Sequence, residues 1–223
     1  MSHARQGAKN PPLLSRNGLY YLARAVTGDQ HQDTGTYTRN ACAALVNFGF
    51  APESVWPYDD NVNPGPNGEL PQFARMPSAE FFRLAFDQKA KQAAAGTLPA
   101  YLRITETGDA RVQMIRHALA AGFGVSFGTL VSEAFCQGRT DPTVAADPPL
   151  GEQIAGGHEL LVTDSWTNPD GSYDFSIANS WGPDWGEAGY FRMSAGYIKW
   201  PETDDLWIVE APPLYSSDAQ EVA

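Results

Sequence analysis

From Ser15 onward the apolar positions recur with a period near 3.6 residues. Residues 17–27 (NGLYYLARAVT) set Leu19, Leu22, Ala23 and Val26 on one helical face, with Ser15 or Asn17 able to cap the start and Gly28 to stop it. A second helix is predicted from about Asp33 and Thr34, through Tyr37, Cys42, Leu45 and Val46, to Gly49; turn chemistry around Pro57 and a loop to residue 72 follow. Pro77 and Ser78 open a third helix through Phe81, Phe82, Leu84 and Ala85 that gives way near Gly96. After Leu98 the apolar spacing shortens to strand-like runs: YLRIT, GVSFGTL, ELLVTDSW, YDFSIAN, GYFRM and DLWIVE. One helix interrupts them, from about Asp109 to Ala121, with Val112, Ile115 and Leu119 as its buried stripe. Helices first and strands afterwards predict an α+β chain, with a helical lobe over residues 14–97 and a β-rich lobe over 98–213. A flexible arm (1–13) and a disordered tail (214–223) are expected at the ends, and the crevice between segregated lobes is the expected ligand site.

Composition narrows the function classes. The 223 residues are 43% apolar and 18% charged, ordinary usage for a folded chain with a substantial core. Acids outnumber bases 26 to 15, for a net charge of −11, and no Lys/Arg stripe is present, which argues against nucleic acid or an anionic membrane as partner. The longest mostly apolar run, Ala118 to Val131, contains three glycines and falls short of the roughly 20 residues a spanning helix needs. Met1 to Leu14 has no apolar stretch of signal-peptide length, so the chain as written is expected in the cytoplasm. Cys42 and Cys136 lie far apart without metal spacing and read as free thiols, and no calcium-loop pattern occurs; no metal and no cofactor is implied. Asp59, Asp60, Glu202, Asp204 and Asp205 read as a solvated face.

The candidate chemistry lies in His158 and Asn179, at the ends of two neighbouring predicted strands. Gly156 and Gly157 leave room beside the imidazole, and a carboxamide oxygen accepting a ring N–H would fix its tautomer and orientation. Trp181, two residues on, is placed to shield that hydrogen bond from water. On residue types alone the plainer account, a capped strand end with a satisfied surface histidine, is preferred.

The surrounding words change the weighing. GGHELLVTDSW followed by FSIANSWGPDWGEAGYFRM closely resembles the His and Asn blocks of papain-like cysteine peptidases, and LLSRNGLYYLARAVTGD, DTGTYTRNACAALVNFGFAPESVWPYDD and ALAAGFGVSFGTL resemble the prokaryotic branch of that family. The resemblance runs from Leu14 to Glu210. It implies a papain-like two-lobe fold, a helical left lobe and a β-barrel right lobe facing each other across a cleft for a peptide or protein substrate. His158 and Asn179 would sit on the right lobe, with Gly35 and Tyr37 near the substrate. A thiolate would attack the peptide carbonyl, His158 would protonate the leaving amine and activate the deacylating water, and Asn179 would hold the ring.

The family's nucleophile motif, C-G-[SA]-C-[WY], is not in the sequence, and neither is its oxyanion glutamine. Cys42 falls mid-helix, without the N-terminal amides that stabilise a thiolate, and Cys136 has a similarly weak case. Ser15 reads as a cap, and Ser2 would have to act from an unstructured arm. Two explanations stay open. In one, Met1 begins a shortened reading frame, the fold is N-terminally incomplete, and the cysteine, with any signal peptide, is encoded upstream; the chain alone is then inactive and poorly soluble. In the other, the chain is a natural pseudopeptidase that binds peptides or proteins. The first is preferred, because a chain freed from catalysis has no physical reason to keep His, Asn and the shielding Trp together. Without a thiolate beside it, His158 is expected to titrate near its ordinary pKa of about 6.5. Oligomeric state is not legible.

Overall fold

The computed structural model describes residues 13–59, 63, 68–97, 99–138 and 145–210. The expected tail, and the expected arm up to residue 12, lie outside these. The described residues fall into two compact units, those up to Ala100 together with Glu210, and those from Tyr101 to Val209.

The first unit is helical. Helix α1 (Arg16–Ala25) starts at Ser15, whose Oγ accepts from the Gly18 N–H at 3.1 Å and donates to the Trp56 carbonyl at 2.6 Å. The hydroxyl is thereby committed to capping. Helix α2 (Thr38–Phe48) begins later than the apolar pattern predicts. Tyr20 Oη donates to Asp33 at 2.6 Å and accepts from the Gly35 N–H at 3.1 Å. With Gly35 at φ +69°, the segment before Thr38 is held out of helical geometry. Helix α3 (Ala79–Ala94) starts where predicted, with Ser78 Oγ accepting from the Phe81 N–H at 3.1 Å.

The core of this unit gathers Tyr21, Leu22, Ala23, Ala44, Ala51 and Phe81. The buried face of α1 is therefore rotated from the predicted one: Asn17, Tyr21 and Arg24 face inward, and Val26 is exposed. Asn17 Nδ2 donates to Gln72 Oε1 at 3.0 Å, and Arg24 reaches three main-chain carbonyls. Hydrogen bonding makes these polar side chains affordable inside.

The second unit is built on a six-stranded sheet: β1 (Ala100–Ile104), β2 (Val125–Ser132), β3 (Ile154–Thr167), β4 (Tyr173–Ala178), β5 (Tyr190–Ser194) and β6 (Asp204–Glu210), in spatial order β1-β6-β2-β3-β4-β5. The pairings β6–β2, β2–β3, β3–β4 and β4–β5 are antiparallel. Helix α4 (Gly108–Ala120) buries Val112, Ile115 and Leu119, as its spacing predicts. Two short helices were not apparent from periodicity, α5 (Glu133–Cys136) and α6 (Ala195–Lys199), because one turn shows no repeat. Phe127, Phe175, Ile177, Met193, Ile198 and Leu206 fill the core between sheet and helices. Among the described residues no helix is long and apolar enough to cross a membrane.

Candidate active site

Strand β3 starts at Ile154, ahead of the predicted run at Glu159, so His158 lies within the strand, opposite Thr129 of β2. Alternation places His158 on the same face as the buried Leu160 and Val162. His158 is half-buried, where that inward stripe reaches the edge of the core. The next strand over, β4, pairs Ala178 with Leu161, so Asn179 leaves the sheet beside His158. His158 Nε2 and Asn179 Oδ1 are 2.8 Å apart.

The loop after β4 holds Asn179 in place. Its N–H donates to the Gly189 carbonyl at 2.9 Å, and the Gly189 N–H donates to the Trp185 carbonyl at 2.8 Å. Gly186 and Gly189 have φ of +58° and +85°. A Cβ on Gly186 would lie 2.5 Å from the Tyr190 carbonyl oxygen, and one on Gly189 would lie 3.2 Å from that of Gly182. The turn therefore closes tightly only with glycine at these positions.

An aromatic floor lies under the pair. Trp181 stacks on the imidazole with ring centroids 4.4 Å apart and planes at 27°, and is itself 40% exposed. Phe135 packs against Trp181, Trp185 and Phe191 at 5.7, 4.9 and 5.0 Å, and its carbonyl accepts from Trp185 Nε1 at 3.3 Å. Sequence reasoning missed Phe135. It sits in one-turn α5, which Ser132 starts by accepting from the Phe135 N–H at 3.2 Å; the one available signal was that serine ahead of EAFC.

The hydrogen bonds fix the protonation pattern. Asn179 Oδ1 also accepts from the Ser180 main-chain N–H at 2.8 Å. A main-chain N–H can only donate, so the atom facing it is the oxygen, and His158 Nε2 must be the donor. In the neutral ring Nδ1 is then unprotonated, with its lone pair open; among the described residues Nδ1 makes no hydrogen bond. This is the arrangement of a base awaiting a proton.

The expectation of an ordinary histidine pKa does not hold. Burial disfavours the imidazolium and lowers the His158 pKa, and the Asn179 hydrogen bond offsets this only in part. Its NMR titration midpoint is expected below the ordinary value of about 6.5, with Nε2 carrying the proton at neutral pH. The unfolded chain then binds the proton first as pH falls, so this group's contribution to stability is full above about 6.5 and is lost as pH drops through the folded midpoint. A midpoint at or above 6.5 would contradict the burial seen here.

The other predicted residues are placed as follows. A Cβ on Gly156 or Gly157 would meet nothing within 4 Å, so the space beside His158 is open rather than closely packed. Gly35 and Tyr37 line a cavity of about 470 Å³ in the helical unit with Asp29 and Asn40. Cys42 is 2% exposed in the middle of α2. Cys136 ends α5 and lines a cavity of about 410 Å³ with Trp181, Asp184 and Trp185.

Residues 29–203 match the papain family of cysteine proteases. The chain belongs to that family. It is 29% identical over 212 residues to an uncharacterised peptidase C1-like protein of Acanthamoeba polyphaga mimivirus, covering 92% of this chain and 61% of that relative. A cathepsin B-like protein of Giardia intestinalis is 54% identical over 43 residues, which make up 19% of this chain and 14% of that protein. The chain thus spans under two thirds of the length of either relative. Among solved structures, xylellain, a cysteine protease from Xylella fastidiosa, superposes with a TM-score of 0.74 at 27% identity, over 95% of this chain and 75% of that one. The fold is accordingly the papain-like two-lobe α+β fold, as the sequence motifs implied, and papain-like proteases act on peptide or protein substrates.

Proposed function

We propose that this chain carries the acid–base half of a cysteine peptidase that hydrolyses peptide bonds, and that His158 is its proton-transfer residue. The observation that carries the reading is the Asn179 oxygen held between the His158 ring and the Ser180 N–H, which leaves Nδ1 as the open base. In the proposed cycle a cysteine thiol gives its proton to Nδ1, and the thiolate sulfur attacks the peptide carbonyl carbon to form a C–S bond. The Nδ1–H then protonates the leaving nitrogen as the C–N bond breaks. Nδ1 next takes a proton from the attacking water, a C–O bond forms, the C–S bond breaks and the thiolate is restored. Asn179 exchanges no proton; it orients the ring, and Trp181 covers one face of it.

The nucleophile is proposed to lie outside these 223 residues. Cys42 is buried in mid-helix, and Cys136 ends a helix of four residues, so neither has the amide-rich helix start that favours a thiolate. The length of the mimivirus relative beyond the matched region agrees with a further segment. The chain alone is therefore expected not to cleave peptides. The test is to read the coding sequence upstream of Met1 and express the chain with whatever in-frame segment precedes it. A cysteine-bearing segment that confers hydrolysis of a fluorogenic peptide, abolished by iodoacetamide, supports the proposal. A stop codon immediately upstream, with peptide binding but no cleavage, favours the pseudopeptidase instead.

A further inference from the structure

Although the chain carries a net charge of −11, three of its basic side chains converge on one cavity of about 450 Å³ in the sheet-containing unit, whose lining does not include His158. Arg103 comes from β1, Arg111 from α4 and Lys199 from α6; Thr105, Thr107 and Asp204 line the same space. Among the lining residues three cations thus face one carboxylate.

Arg111 is the least expected of them. It is 6% exposed, and its Nε and Nη1 donate to the main-chain carbonyls of Glu106 (2.9 Å), Ile198 (3.1 Å) and Thr203. These bonds orient the guanidinium, and the charge of Asp204 offsets the cost of its burial only in part. Its Nη2 makes no hydrogen bond among the described residues, and no carboxylate contacts the group. Carbonyls orient a buried cation without cancelling its charge, so an anion in the adjoining cavity would be favoured beside it. The neighbouring carboxylates are engaged elsewhere: Asp204 pairs with Arg103 at 3.3 Å and Asp109 with Lys199 at 3.1 Å. Both are exposed pairs of the kind that contribute little and rearrange easily.

The cavity also meets the start of α4. Thr107 precedes the first helical residue, and its side chain makes no capping bond. The positive end of a 13-residue helix, whose first turn also carries Asp109, and a hydroxyl that makes no capping bond therefore adjoin the same space. Thr105 adds a second hydroxyl.

We propose that this cavity is a binding site for a small tetrahedral oxyanion, a phosphate or sulfate group, either free or as the terminal ester of a larger ligand. Arg111 supplies the fixed charge. Arg103 and Lys199 leave their surface partners to close on the anion, and Thr105 and Thr107 donate hydroxyl hydrogen bonds.

The experiment uses the chain as it stands, at pH 7, with inorganic phosphate and a sugar phosphate monoester titrated against sodium chloride at matched ionic strength. Amide shifts of residues 105–111 and the melting temperature are followed. Phosphate should give a saturable shift and a rise in melting temperature that chloride does not reproduce. Arg103→Gln and Lys199→Gln, which leave the buried Arg111 in place, should each weaken phosphate binding about 10-fold, the loss of one charge-assisted contact, without changing the phosphate-free melting temperature. Tighter binding of the monoester assigns a phosphorylated ligand, and tighter binding of phosphate assigns the free anion; either upholds the site. An equal response to chloride, or unchanged phosphate affinity in the double variant, overturns it.

Discussion

In the chain extended to include its cysteine, His158→Ala is expected to lower kcat/KM by about 1,000-fold or more, because it removes both proton transfers of the proposed cycle. The melting temperature should move little, since His158 is half-buried and Asn179 Oδ1 keeps its bond from the Ser180 N–H. Asn179→Ala is expected to cost less, about 100-fold, by letting the ring turn and lose its single tautomer. Asn179→Asp separates positioning from packing. It keeps an oxygen acceptor for Nε2–H but adds a negative charge 2.8 Å from the ring, so the imidazolium is favoured and the basic limb of the pH profile moves up. A purely structural role for Asn179 would leave that limb in place. Hydrolysis within 10-fold of the parent in His158→Ala would assign proton transfer to another group and end the proposed mechanism.

The parts of this molecule that the sequence revealed are those encoded locally. Ser15 and Ser78 announce helix starts because a short hydroxyl side chain satisfies an N–H three residues on, a bond that depends on nothing distant. His158, Asn179 and Trp181 were legible because short motifs with fixed glycines carry them, and the structure brings all three together. What stayed hidden depends on tertiary partners. The start of β3, Ile154 to Gly157, has two glycines and little strand propensity, and is strand because β2 pairs with it. Phe135 supports the site from a helix too short to show a period. Asn17, Arg24 and Arg111 read as outward-facing on any hydropathy pattern, yet they are buried because main-chain carbonyls or a side-chain amide receive their N–H groups. The same limit explains why α2 starts late: Asp33, near its predicted start, is engaged by the Tyr20 hydroxyl thirteen residues before it.

Arg24 gives the largest expected stability effect. It is fully buried, and its guanidinium donates to the carbonyls of Tyr20 (3.2 Å), Gln32 and Phe73 while lying 3.8 Å over the Tyr20 ring. One side chain thus ties α1 to the loop before α2 and to the 3₁₀ turn Gln72–Ala74. Burial alone disfavours its charge, with Tyr20 and Asp33 opposing that, so the retained cation is held by these acceptors. Arg24→Met keeps much of the stem but leaves the partly buried carbonyls of Gln32 and Phe73 without the guanidinium, and is expected to destabilise the helical unit by roughly 2–3 kcal/mol. Arg24→Lys should recover only part, because one ammonium cannot span carbonyls on two different segments. With whole-domain stability typically 5–15 kcal/mol, urea unfolding should show an earlier loss of this unit. Amide exchange should report it first at residues 29–32 and 72–75, where the freed carbonyls lie. A loss below about 1 kcal/mol would mean that water replaces the guanidinium without cost, and that the loop and turn are held by other contacts.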